Sequence, residues 1–133
     1  MFTTIRTIGA ITRSIQNDSN ARFRKLGLGN NAFLYVIRVC EEPGMFLAQL
    51  ADAVQIDRTT AFRTVKRLVA AGYLRLEDDP SDGRMRRVYP AERGQEVYPE
   101  LHAYEQYCSQ HLLANLTAAE RKQLEGLLTK LNY

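Results

Sequence analysis

The chain of 133 residues is predicted to be mainly α-helical with one small β-hairpin, and three observations carry that expectation. Isoleucines near the start (Ile5, Ile8, Ile11, Ile15) and leucines near the end (Leu124, Leu127, Leu128, Leu131) recur at helical spacing. Mid-chain, two short helical patterns are separated only by Gln55 and Ile56. After Gly72, two segments with strand character flank Asp79-Pro80-Ser81-Asp82-Gly83.

Taken in order, Thr3 or Thr4 can cap a first helix whose isoleucine stripe weakens at Asn17, Asp18 and Ser19. Gly27 to Asn31 reads as a break. Ala32 to Cys40 is nearly all apolar and should form a buried second helix, stopped by Pro43 and Gly44. Leu47, Leu50, Ala51 and Val54 define a short third helix with Gln49 and Asp52 outward. Asp57 is a good N-cap for a fourth helix reaching about Ala71, with Gly72 as its left-handed terminator. Tyr73–Glu77 and Arg86–Tyr89 read as paired strands, with Pro80 at the first corner, Gly83 free to take positive φ, and the tip at Ser81 to Arg84. From Ala91 a long helical pattern places Val97, Leu101, Tyr104, Cys108, Leu112 and Leu113 on one side, and Pro99 should kink it. A final helix begins near Leu116 with a capping box of Thr117 and Glu120.

Length and composition fit one domain over residues 1–133, with 45% apolar and 25% charged residues. No stretch approaches the roughly 20 apolar residues of a membrane span, so no membrane partner is expected. The basic start superficially suggests a transit peptide, but the helical isoleucine spacing argues against it. Cys40 and Cys108 lie far apart without a CxxC pair, which points to a reducing cytoplasm and not to a zinc site or a secreted disulfide framework. A net charge of +3 is too small to implicate nucleic acid by itself, yet it is localised. Between Asp57 and Arg93 the bases Arg58, Arg63, Lys66, Arg67, Arg75, Arg84, Arg86, Arg87 and Arg93 outnumber the acids Asp57, Glu77, Asp78, Asp79, Asp82 and Glu92 by the whole net charge.

In the fourth helix Ala61, Val65, Leu68 and Val69 form the buried face, while Thr60, Arg63, Thr64 and Arg67 share the opposite side. No acid occurs from Arg58 to Ala71, although solvated helix faces usually mix signs to gain i, i+4 pairs. Arginine can bond guanine O6 and N7 in the major groove, threonine can contact bases or phosphates, and Lys66 can reach backbone phosphate. Arg84, Arg86 and Arg87 crowd the adjoining hairpin, where their repulsion calls for an anionic partner. Double-stranded DNA is the expected partner, with Arg58, Thr59, Thr60, Arg63, Thr64, Lys66, Arg67, Asp82, Arg84 and Arg86 as candidate contacts. The competing reading is an interaction module whose basic face meets an acidic protein, and steep salt dependence with duplex DNA would separate the two.

The stretch LAQLADAVQIDRTTAFRTVKRLVAAGYLRLEDDPSDGRMRRVYPAERG, from Leu47 to Gly94, resembles the MarR family of small bacterial regulators, and the likeness extends over nearly the whole chain. Its marks are the helix-turn-helix, the D-x-R wing motif at Asp82 to Arg84 and the glycine that opens the next helix. The resemblance implies a winged helix-turn-helix with N- and C-terminal dimerisation helices: a winged-helix region at about 44–90 and dimerisation helices at about 3–26 and 91–133. It implies a homodimer with a fourth helix in each major groove, Arg84 in the minor groove oriented by Asp82, and release of DNA by a small, often aromatic or anionic, effector. The apolar terminal stripes independently exceed what one thin domain would cover. Two departures, Pro90-Ala91 where the family commonly has threonine and a helical start at Asn30, bear on capping more than on function.

No cofactor is expected. His102, Glu105, Cys108 and His111 recur every three residues, but such steps drift around a helix by about 60° each, so four ligands cannot converge and no metal is expected. The thiols read as buried and inert, because neither has an activating neighbour in sequence. The chain lacks a phosphate-binding glycine loop, a nucleophile elbow and an HExxH pair, so no enzyme is expected.

Overall fold

The computed structural model describes residues 1–133. Its elements are α1 (Thr3–Phe23), α2 (Ala32–Glu41), β1 (Met45–Phe46), α3 (Leu47–Ala53), α4 (Arg58–Ala70), β2 (Leu74–Asp79), β3 (Asp82–Pro90), α5 (Glu92–Leu112) and α6 (Ala118–Leu128). They fall into two compact units, residues 1–102 and 103–133. No helix is long and apolar enough to cross a membrane.

In the first unit, α1 runs through Asn17 and Asp18 without a break, and Ser19 is buried with its hydroxyl donating to the Gln16 carbonyl. The expected threonine cap is absent: Phe2 stands at the N-cap, without a side-chain bond. A 3-10 turn at Arg24–Leu26 closes the helix, and Gly27, Asn30 and Asn31 at φ +74°, +54° and +66° make the expected break. Helix α2 is the core, burying Phe33, Tyr35, Val36, Ile37 and Val39. Leu50, Ala51, Val65, Leu68, Tyr73, Leu74 and Val88 are among the residues buried with it.

The sheet has three strands in the order β1-β3-β2, where the sequence suggested a bare hairpin. Met45 and Phe46 pair with Val88 and Arg87, so the wing is stitched to the segment that starts α3. Both hairpin strands also extend further than expected. Asp79 pairs with Asp82, which moves the tip to Pro80 and Ser81. Gly83 is not among the residues with positive φ; it lies within β3. Gly94 has a different constraint, because a Cβ there would lie 2.2 Å from the Tyr73 carbonyl oxygen. The start of α5 therefore rests directly on backbone at the start of β2, and any side chain would push them apart.

In the second unit the capping box is as expected: Glu120 N donates to Thr117 Oγ1 at 3.1 Å, and Thr117 N donates to Glu120 at 2.9 Å. Bonds that the Glu120 carboxyl accepts from the Thr117 amide and then the Thr117 hydroxyl hold it below its ordinary pKa. Arg121 donates to the Leu113 carbonyl at 3.0 Å, fixing the turn before α6. Along α5 itself, Pro99 sits within a continuous helix.

Candidate nucleic-acid interface

Helix α4 begins as its sequence dictates. Asp57 accepts from the Thr60 amide at 2.9 Å, and bonds from the Thr60 hydroxyl and amide hold its carboxyl below the usual value. Ala61, Val65 and Leu68 are at most 1% exposed, which rotates Arg58, Thr59, Thr60, Arg63, Lys66 and Arg67 into solvent. None of these four cations forms an ion pair. The Lys66 ammonium sits 5.2 Å over the Phe62 ring, and Arg58 reaches toward the wing. Thr64 departs from the expected open position: it is half-buried, and its hydroxyl bonds that of Tyr35 in α2. Burial pushes the Tyr35 phenol up, the Thr64 bond opposes that shift, and Tyr35 thereby holds the middle of α4 from behind.

The wing differs from the crowd of free arginines inferred above. Each has its own carboxylate: Arg84 with Asp82 at 3.4 Å, Arg86 with Asp78 at 3.6 Å and Arg87 with Asp79 at 2.8 Å. Their mutual repulsion is thus relieved inside the hairpin, and it gives no argument for an external anion. Arg84 is still available, because its side chain is 93% exposed and held only by the long Asp82 contact. Asp82 also accepts from the Arg84 amide at 3.0 Å, so it shapes the backbone from which Arg84 projects.

Arg87 is a strut that sequence reading missed. Its Nε donates to buried Asp79, its Nη1 donates to the Gly44 carbonyl at 2.8 Å, and its guanidinium lies 4.2 Å over the Phe46 ring. Asp79 in turn accepts from the hydroxyl and amide of Ser81, and the hydroxyl bond first, then Arg87, then the amide hold its carboxyl below the ordinary value. Arg93 is structural as well: it donates to the Ala71 carbonyl at 2.7 Å and to the Tyr73 hydroxyl at 2.9 Å, and Tyr73 donates to the Leu26 carbonyl at 2.6 Å. Arg75 pairs with Glu77 and lies 4.5 Å over the Tyr89 ring. No sequence signal marks Arg87 and Arg93, whose partners are distant along the chain, whereas the Arg75 and Glu77 pair is local, two residues apart on one face of β2.

Between α3, the start of α4 and the wing lies a cleft of about 520 Å³, floored by Phe46, Leu47, Ala48, Ala51 and Phe62 and rimmed by Arg58, Arg84 and Arg86. Of the candidate residues, Arg58 of the helix and Arg84 and Arg86 of the wing thus share one cleft. Elsewhere, Cys40 is half-buried with its Sγ 3.7 Å from the Gly94 carbonyl oxygen, and burial pushes its thiol up, away from the reactive thiolate. His102 packs edge-on to Tyr98 and His111 stacks on Tyr107, at 5.8 and 5.7 Å.

A helix-turn-helix followed by a wing tied to its first strand defines a winged helix-turn-helix regulator. The MarR family model matches residues 26–85, from the loop before α2 into the wing. The chain is 32% identical over 124 residues to the HTH-type transcriptional regulator YybA of Bacillus subtilis, covering 93% of this chain and 83% of that protein. Among solved structures, it is similar to the transcriptional regulator SlyA, with TM-score 0.91 and 36% identity over 96% of this chain and 89% of that one. It is also similar to a MarR family regulator from Listeria monocytogenes complexed with a 26mer DNA, with TM-score 0.89 and 33% identity over 95% and 84% of the two chains. The chain belongs to the MarR family of transcriptional regulators.

Proposed function

We propose that the protein is a homodimeric, sequence-specific binder of double-stranded DNA that represses transcription from a near-palindromic operator and is released by a small-molecule effector. The observation that carries this reading is the face of α4, where Arg58, Arg63, Lys66 and Arg67 stand exposed without a carboxylate partner beside Thr59 and Thr60. Such a face is a donor array that phosphates and base edges satisfy. Arg63 and Arg67 read bases with Thr60, Thr64 supports them from its bond to Tyr35, and Arg58, Thr59 and Lys66 hold phosphates. Arg84 enters the minor groove with Asp82 orienting it and Arg86 alongside. The DNA carried by the Listeria monocytogenes relative supports this reading.

Phe2, Ile5, Ile8 and Ile11 are 58%, 74%, 42% and 37% exposed along α1, and Leu127 and Leu128 are 61% and 45% exposed on α6. Apolar rows of this kind suit a second copy, so residues 3–26 and 91–133 act as dimerisation helices around a winged-helix region at 44–90 within one functional domain. The protein acts in the cytoplasm and has no catalytic role. The test is binding to fragments selected from the source genome at several salt concentrations, with sedimentation of the same samples. A dimer, and affinity that falls steeply with salt on a two-half-site sequence, are expected. A monomer at micromolar concentration, or duplex binding indifferent to salt, would turn the reading toward a protein-binding module.

A further inference from the structure

The C-terminal half of α4 borders a second cationic feature. A solvent-open cleft of about 330 Å³ lies between the end of α1, the loop after it and α4, lined by Asn20, Arg24, Gly27, Gly29, Asn30 and Arg67. No carboxylate lines it, and neither Arg24 nor Arg67 has an ion pair. No apolar side chain lines it either. Its loop is held in shape: the Asn30 amide donates to Asn20 Oδ1 at 2.5 Å, Gly27 N donates to the Arg24 carbonyl and Leu28 N to the Phe23 carbonyl, each at 3.0 Å. With its oxygen engaged, Asn20 has its NH2 group left to offer a ligand. Two guanidiniums and an amide donor around a polar hollow form a surplus of donors and positive charge.

We infer that this cleft is an oxyanion site, holding a phosphoryl group between Arg24 and Arg67 with the Asn20 amide as a third donor. The group has two sources, a backbone phosphate of bound duplex or a free phosphate ion, and only the first rests on the DNA-binding reading above. The sources act in opposite directions, because Arg67 belongs both to the cleft and to the exposed face of α4. A backbone phosphate adds a contact and strengthens duplex binding. A free ion draws Arg67 away from the duplex and weakens it.

Arg24→Gln is the variant that tests this, since Arg24 is exposed, ends a helix and has no carboxylate partner to strand. The first arm measures duplex affinity of the full-length protein against salt. If the source is DNA, the slope of log affinity against log salt falls in magnitude by about 1.8, one phosphate contact of about 0.9 in each subunit of the dimer, with base preference unchanged. The second arm titrates the DNA-free protein with inorganic phosphate against chloride at equal ionic strength, following the backbone amide resonances of Asn20, Gly29 and Asn30. If the source is a free ion, these shift saturably in the wild type and not in the variant, and duplex binding is weaker in phosphate than in chloride. An unchanged salt slope together with no saturable shift overturns the inference. Wild-type protein that binds no duplex at all would instead remove the DNA-binding reading, and the phosphate titration would then decide the cleft alone.

Discussion

Helix α4 and the wing both carry clustered cations, but they hold them differently. On α4, Arg58, Arg63, Lys66 and Arg67 have no carboxylate partner, whereas in the wing Arg84, Arg86 and Arg87 each have one. The charge that a partner can use is therefore not the charge counted along the chain. The helix presents its cations without ion pairs, and the wing is a self-neutralised hairpin with one arginine, Arg84, largely exposed near its tip. A helix face is aimed by its buried side, here Ala61, Val65 and Leu68. A two-stranded tip has no such backing and needs internal ion pairs to keep a shape.

The largest effect on binding should follow from Arg63→Ala. No ion pair holds Arg63 in the free protein, where its charge acts only at longer range on Asp57, so its removal should subtract mainly from the complex, costing about 1 to 3 kcal/mol per half-site and relaxing preference at the base it is proposed to read. Arg84→Ala should cost less. It should weaken binding to many sequences alike and lower the salt slope by about 0.9 per half-site, about 1.8 for the dimer, with major-groove preference intact, because the minor-groove readout proposed for it is largely width and potential. Both are measured on the preferred site and its single-base variants at several salt concentrations. Lost base preference for Arg84→Ala, or uniform weakening for Arg63→Ala, would exchange the roles of wing and helix.

Arg87→Ala should act on DNA only through the wing. It leaves Asp79 without its guanidinium and frees the Gly44 carbonyl, so hydrogen exchange should rise in β2 and β3 and stay unchanged across α4. Its effect on affinity should largely vanish in an Arg84→Ala background and persist in full beside Arg63→Ala. Acid should loosen the same node. Since the Asp79 carboxyl is held below its ordinary value in the folded chain, its contribution is present above about pH 3.9 and is lost as pH falls through the lowered folded value. Wing amides that become less protected as pH rises above neutrality, relative to α4, would contradict this assignment.

The parts of the fold that were legible in the sequence are those written locally. The Asp57 cap, the Thr117 and Glu120 box, the apolar face of α4 and the terminator at Gly72 each depend on neighbours within one turn. The parts that were not legible depend on residues far along the chain. Strand β1 is two residues long, too short to alternate, and exists because Val88 and Arg87 lie beside it. Arg87 and Arg93 look like surface charge until Gly44, Asp79 and Tyr73 are brought to them. Thr64 fits the exposed stripe by periodicity, and only the packing of α2 shows that Tyr35 claims its hydroxyl. The basic clusters of helix and wing were thus readable in their composition, and which of those charges stay unpaired was not.

The smallest expected effect, and the sharpest probe of the difference between helix and wing, is Asp82→Ala. Asp82 does two opposed things. It accepts from the Arg84 amide at 3.0 Å and touches the guanidinium at 3.4 Å, which biases Arg84 toward one direction of projection. In the proposed complex it would also place a negative charge beside the groove, where phosphates repel it. Removing it frees Arg84 to wander, which costs entropy on binding, and removes the repulsion, which favours binding. The first effect should slightly outweigh the second at moderate salt, giving a modest loss of affinity in the same direction as Arg84→Ala. Raising the salt screens the repulsion that the wild type suffers, so the deficit of the variant should grow with ionic strength. Asp82→Asn keeps an acceptor for the Arg84 amide without the charge, and should bind at least as well as the wild type at low salt. If Asp82→Asn loses as much as Asp82→Ala, the charge and not the shape of the turn orients Arg84, and the wing is neutralised for aim more than for folding.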